Sequence, residues 1–282
     1  MKLTMLLLTV SACALAAQPD SSSQSYTASI DAWHAKRIES LKREHGWLSL
    51  IALEWLHQGK NDIPHFGTLM FENGKATLEL SHGVQATVDG KPFLGGSIRV
   101  EGDSGGAQKI FSGTKAFTLI KRGERFAMRM WDSEAGTRKH FHGIDRYPVN
   151  PQWRIEAAWT PYDHPRRVQI ETVIPGFIED DIVPGVAVFT LGGTEYRLEP
   201  VLEEPGADFF FIFGDKTNGK ETYGAGRFMY TPPAQGGKVI LDFNKAYNPP
   251  CAFTEFATCP LPPKGNKLSI RIDAGEKKYG EH

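Results

Sequence analysis

The chain has 282 residues, with 33 acidic against 32 basic side chains and a formal charge of −1. So even a balance leaves no basic stripe to track a phosphate backbone, and nucleic acid is not an expected partner. Past the first residues, no apolar run approaches the roughly 20 residues a membrane-spanning helix needs.

The chain opens on Lys2 and an apolar run from Leu3 to Ala17, followed by a polar break at Gln18. This is the pattern of a secretory leader covering residues 1–17. Two processing routes fit it. Val10-Ser11-Ala12-Cys13 resembles a lipoprotein box that would make Cys13 the acylated mature terminus, and Ala14-Leu15-Ala16 resembles an ordinary A-x-A cleavage site. The lipoprotein is the preferred reading, so the protein is expected to be exported, periplasmic or membrane-anchored, and to touch the membrane only through an N-terminal lipid. Residues 18–26, "QPDSSSQSY", are Ser-rich and polar, as a flexible tether is.

Ile30, Trp33, Ile38 and Leu41 recur at helical spacing, with Asp31 near the expected start. "WLSLIALEWL" (47–56) is too apolar for a surface helix and reads as a buried helical turn or a strand. Residues 27–57 are therefore expected to form a helical segment. Beyond residue 58 the period changes to short alternating runs bounded by Gly, Pro, Asn or Asp, and Asn73-Gly74 is a two-residue hairpin signal. The expected fold is mostly β, a sandwich-like or barrel-like body of many short antiparallel strands with an N-terminal helical cap. The charged stretch "KRGER" (121–125) suggests a boundary between a smaller β unit, 58–122, and a larger one, 123–282.

Two strings ahead of the C-terminal third invite chemical readings. "GDSGG" (102–106) is the string around a chymotrypsin-like nucleophile, but the required histidine setting is missing and a glycine-rich turn explains it better. His140 and His142 would share one face of a strand at a chelating spacing, but polar residues also alternate on any solvated strand, and no metal is expected. No cofactor motif is present.

The densest polar region is C-terminal. "FGDKTNGKETYGAGRF" (213–228) carries Asp215, Thr217, Glu221, Thr222, Tyr223 and Arg227, and "LDFNKAYNPPCAF" (241–253) adds Asp242, Asn244, Tyr247 and Asn248. Arg227 could form a bidentate fork with Asp215, Glu221 or Asp242. If these side chains converge on a pocket, Glu221 or Asp242 is the candidate general acid or base and Arg227 an anion clamp. Asp215, Thr217, Thr222, Tyr223, Asn244, Tyr247 and Asn248 are then candidate binding residues. The function expected on this reading is hydrolysis of a small or envelope-derived substrate. The alternatives are a non-catalytic ligand-binding or scaffold lipoprotein, and a network that only holds the fold.

Cys251 and Cys259 lie eight positions apart. A turn between them could bring their α-carbons within the ~4.4 to 6.8 Å of a disulfide, which an oxidising compartment permits. A nucleophile, a metal ligand and two inert thiols are the other readings.

"DKTNGKETYGAGRF", "LDFNKAYNPPCAFTEFATCPLPP" and the closing "AGEK" (274–277) together resemble the signature of a bacterial domain-of-unknown-function family, number 1684. "GWLSLIALEWL" and "FHGIDRYPVNPQWRIEA" also match its pattern, so the resemblance runs from about residue 30 to 277. It implies that the C-terminal polar residues and both cysteines occupy motif positions, and it implies no activity. The emphasis moves from the cysteines to the polar side chains just before them.

Overall fold

The computed structural model describes residues 21–102 and 108–280. The leader, Cys13 and most of "GDSGG" lie outside the described residues. The protein is mostly β, and the described residues form seventeen strands in four antiparallel-dominated sheets and one long helix, α1 (Ser21–Leu41). No described helix is long and apolar enough to cross a membrane.

Helix α1 buries Ile30 and Leu41, the ends of the expected apolar stripe. It begins earlier than the tether reading allowed, because residues 21–26 already belong to its first turns. Asp31 is consequently mid-helix and pairs with Arg146 across the surface instead of sitting at the positive end of the dipole. "WLS" forms a single 3-10 turn and the chain then extends as the strand Leu50–Trp55.

The first half of the molecule is a β-sandwich. A seven-stranded sheet contains Leu50–Trp55, Lys115–Arg122 and Arg125–Asp132, and a four-stranded sheet contains Gly67–Glu72 and Lys75–Leu80. Phe71, Leu69 and Leu78 from the smaller sheet meet Phe117, Leu119, Met128 and Met130 from the larger in one core, as alternation on two facing sheets requires. The Asn73-Gly74 turn is present, with both residues at positive φ and Glu72 paired to Lys75.

"KRGER" is not a domain boundary. It is a tight turn inside the larger sheet, with Arg122 opposite Arg125 and Gly123 at φ +54°. A charged, glycine-bearing linker and a charged hairpin turn look alike in sequence, and here the flanking strands pair over eight registered positions. The first half therefore continues to Asp132.

The second half is organised by two long strands, Arg154–Glu171 and Ile178–Leu191, in a sheet ordered Thr194–Leu198, Ile178–Leu191, Arg154–Glu171, Lys238–Asp242. A register irregularity between Pro161 and Arg166 lets the longer strand carry two prolines, which cannot donate to a ladder. The ribbon Phe209–Phe213 with Arg227–Thr231 packs against this sheet. Phe209, Phe211 and Phe213 enter the core with Phe189 and Phe243, while Phe210 and Ile212 face a second apolar cluster with Phe228 and Cys259. Burial on both faces explains why "FFFIF" shows no alternation.

Candidate functional site: a bipolar cleft between the halves

The C-terminal motif residues divide among three networks. In the first, Arg227 is fully buried and its guanidinium bonds the Asp215 carboxylate and the carbonyls of Ala274 and Ile272, the last at 3.1 Å. Asp215 also accepts from the Thr217 backbone N–H at 2.7 Å, and the Thr217 and Thr222 hydroxyls meet at 2.7 Å. Gly226, at φ +103°, starts the Arg227 strand where a Cβ would meet the Phe213 carbonyl at 2.8 Å. This network locks a glycine-rich loop.

In the second network, Asp242 accepts from the Tyr26 hydroxyl of α1 at 2.7 Å, and Asn244 donates to that hydroxyl and to the Asn150 carbonyl, both at 2.9 Å. In the third, Asn248 donates its backbone N–H to Glu276 at 2.7 Å and its side-chain amide to the Lys277 carbonyl at 2.7 Å. Arg37 of α1 closes it, bonding Glu276 at 3.2 Å and the Asn248 carbonyl at 2.9 Å. These two networks seat the helix.

The expected trio of Glu221, Asp242 and Arg227 is therefore not assembled around one pocket. Arg227 is sealed inside, Asp242 is committed to the helix, and Glu221 is half-exposed and paired with Arg271 at 3.1 Å. Tyr223 spends its hydroxyl on the Cys251 carbonyl at 3.0 Å. His140 follows a four-residue helix, Gly136–Lys139, and His142 is in an irregular segment, so the shared strand face is absent. Among the described residues no group of three His, Cys, Asp or Glu is placed to hold a metal.

Cys251 and Cys259 are close, with the Cys251 backbone N–H 3.1 Å from the Cys259 sulfur, but both are free thiols and the expected disulfide is not formed. The Cys259 thiol donates to Cys251, which holds the Cys251 thiol below its ordinary range, while burial pushes Cys259 well above it.

Asp215 borders a smaller cavity of about 350 Å³ with Gly226 and Leu268. Tyr247 and Cys259 help line a cleft of about 780 Å³ between the two halves of the molecule, within the size range of small-molecule sites. Its walls differ in sign. The first half contributes Arg122 and Arg129, from the hairpin that "KRGER" turns, and α1 contributes Arg37. The second half contributes Glu179 and Asp181 from the Ile178–Leu191 strand and Glu203 from the segment after Leu198. Glu179 and Asp181, two apart on a strand, project from one face.

Neighbouring groups form a gradient along the cleft. Burial, and Arg129 beside it, pull Arg122 down to about 10, still protonated at neutral pH. Burial also lowers Arg129 to about 10, and its guanidinium lies 5.2 Å from the centre of the Trp47 ring. Arg122 in turn faces Glu179, whose carboxyl burial and the Asp181 charge push up to about 7 against the pull of Arg122. Burial and then Glu203 raise Asp181. Glu203 accepts from the Tyr230 hydroxyl at 2.9 Å. Tyr230 stacks on Phe210 at 4.5 Å and lies nearly parallel to Tyr247 at 6.4 Å, and Arg37 covers the far face of this aromatic column, 4.6 Å from the Tyr247 centroid. These rings give the cleft an aromatic lining beside the charges.

Glu179, Asp181, Arg122, Arg129 and Arg37 were not among the residues that the sequence singles out. One signal was available. "IEDDIV" places two carboxylates on the same face of a strand otherwise rich in apolar residues, which a merely solvated strand does not require.

The fold is mostly β, with a cavity whose walls differ in charge between a sandwich and a second β half. The profile of the family described as "Protein of unknown function (DUF1684)" matches residues 139–277, and the chain belongs to that family. The match covers the acidic wall and the motif networks, whereas Arg37, Arg122 and Arg129 precede it. Among solved structures, the chain is similar to the solution NMR structure of an uncharacterized protein of Haloarcula marismortui, with 31% identity over 52% of this chain and 82% of that one and a TM-score of 0.44. No curated protein matches it.

Proposed function

We propose that the protein is a hydrolase acting on a small substrate in the cleft, with Glu179 as the acid–base group. The observation that carries this reading is the placement of Glu179 between Asp181 on its own strand and Arg122 on the opposing wall, inside a cavity large enough for a small molecule. A carboxyl pushed up to about 7 both accepts and donates protons at neutral pH, which general acid–base catalysis requires. Glu179 takes a proton from a water as that water attacks, and returns it to the departing group when the bond breaks. Arg122 and Arg129 offer fixed positive charge to an oxygen that becomes negative on the way. The motif residues Asp215, Arg227, Asp242, Asn244 and Asn248 serve this site indirectly, by locking the loops and helix that frame it.

A second reading, ligand binding without turnover, is favoured by the aromatic lining of the cleft, which offers apolar contact to a ligand whether or not it reacts. A screen of chromogenic esters, phosphoesters and glycosides at pH 5 to 9 separates the two. Turnover that the Glu179→Gln variant abolishes supports the hydrolase; turnover unchanged in that variant, or absent from every class, refutes it. The export signal and the lipid anchor at Cys13 belong to the same proposal. Labelling of the expressed protein with radioactive palmitate, lost in Cys13→Ser, tests the anchor.

A further inference from the structure

We infer that the smaller cavity beside Asp215 is a second binding site, one that takes a phosphomonoester with a small apolar body. It shares no lining residue with the cleft, so it stands apart from the reading of the cleft as a hydrolase site. The motif loop builds it from both of its ends. Residues 214–216 and 224–226 form one side, and Leu261, Pro262, Lys267 and Leu268 form the other. Gly226 lets the two sides meet, because a Cβ there would lie 2.4 Å from the Pro262 Cγ. The loop that the Asp215–Arg227 pair locks is thus one wall of a cavity, and its volume of about 350 Å³ suits a small molecule.

The charge balance of the lining decides the sign of the ligand. Its one carboxylate, Asp215, is already spent: it pairs with Arg227 and accepts the N–H groups of Thr217 at 2.7 Å and Ile272 at 3.4 Å. Asn218 is spent as well, its side chain bonding the Asp215 N–H and the Tyr223 carbonyl. Lys216 and Lys267 are the exceptions. Both are exposed, and neither ammonium meets a carboxylate or another acceptor among the described residues. The N–H groups of Gly224 and Ala225, in the same lining, also lack an acceptor among the described residues. One exposed ammonium holds an anion weakly, so what the cavity adds is a second one and an apolar surface from Leu261, Pro262 and Leu268. A dianion answers two ammoniums better than a monoanion does, and a phosphomonoester carries about 1.5 to 2 negative charges at neutral pH where a carboxylate carries one. Lysine serves such a group as a point charge, without the planar fork by which arginine selects carboxylates.

The test is titration calorimetry on the full chain at low salt and about pH 8, with phenylphosphonate as the probe because it has no ester bond to hydrolyse. It should bind about fivefold tighter or more than inorganic phosphate and than benzoate, and benzyl alcohol should give no signal. The Lys216→Gln/Lys267→Gln double variant should weaken it about tenfold or more, with an unchanged melting temperature because neither side chain is buried or paired. A Lys220→Gln/Lys264→Gln control, which removes exposed lysines outside the lining, should leave the affinity within about twofold. Equal weakening by the control would mean diffuse surface charge, and binding lost instead in Arg122→Gln would place the anion in the cleft. Either result overturns the inference, as does the absence of binding up to about 10 mM. None of these outcomes depends on turnover, so the hydrolase reading stands or falls by its own screen.

Discussion

Asp215 and Arg227, twelve residues apart in the chain, form an ion pair with both side chains fully buried. Such a pair contributes little net stability over an apolar pair of the same shape, but breaking it strands a charge in the interior. Arg227→Ala and Asp215→Ala should each cost about 3 to 5 kcal/mol in a denaturant titration, and the double variant should cost less than the sum. Additive losses would mean that the two side chains act on separate parts of the fold.

Glu179 makes stability depend on pH in a defined sense. Its folded carboxyl is raised to about 7 from an ordinary value of 4.5, so the folded state holds the proton more tightly than the unfolded chain. The stabilisation is complete below the unfolded value and is lost as pH rises through about 7. Arg122, Asp181, Glu203 and the Cys259 thiol face this group. Melting temperatures of the wild type should fall between pH 5 and 8, and Glu179→Gln should flatten that slope. Parallel slopes would place the titration elsewhere.

Helix α1 is held by two polar attachments some distance apart along its length. Tyr26→Phe removes the hydroxyl shared by Asp242 and Asn244 and should cost about 1 to 2 kcal/mol. Arg37→Ala removes the charged partner of buried Glu276 and should cost more, about 3 kcal/mol. Hydrogen exchange should show residues 21–30 losing protection in Tyr26→Phe while the 154–171 and 178–191 strands keep theirs. Uniform loss across the molecule would contradict a local latch.

The two cysteines should differ in reactivity. Cys251 is partly exposed and its thiol is held low by the proton that Cys259 donates, so it should be alkylated first by iodoacetamide. Peptide mapping of partially modified protein checks the order; modification of Cys259 first would be wrong for this geometry. Exchange with oxidised glutathione should then join the pair, Cys251 sulfur attacking the reagent and Cys259 displacing the second glutathione, with the protein two hydrogens lighter and the reagent reduced to two thiols.

Much of this architecture was readable before any coordinates. The Asn73-Gly74 hairpin, the apolar stripe of α1 and the strand-rich body follow from local rules of period and turn chemistry. "KRGER" misled because charge and glycine signal a break without saying whether the chain turns back on itself. Tyr26 belongs to a stretch that reads as tether, because nothing local announces a hydroxyl whose partners, Asp242 and Asn244, are more than two hundred residues away. The motif residues stood out for density, but density cannot separate a lock from a pocket. Arg227 paired with Asp215 in the interior and Glu179 facing a cavity differ only in what the rest of the fold brings beside them.

The cleft joins two parts of different standing. Its acidic wall and aromatic lining lie within residues 139–277, while the arginines opposite come from the sandwich and from α1. On the proposed reading of the cleft as the site, a chimera that pairs the 139–277 segment with a different sandwich would keep Glu179 and Asp181 and lose Arg122 and Arg129, so the charge facing the acid–base group is set by sequence outside the segment that carries the family signature.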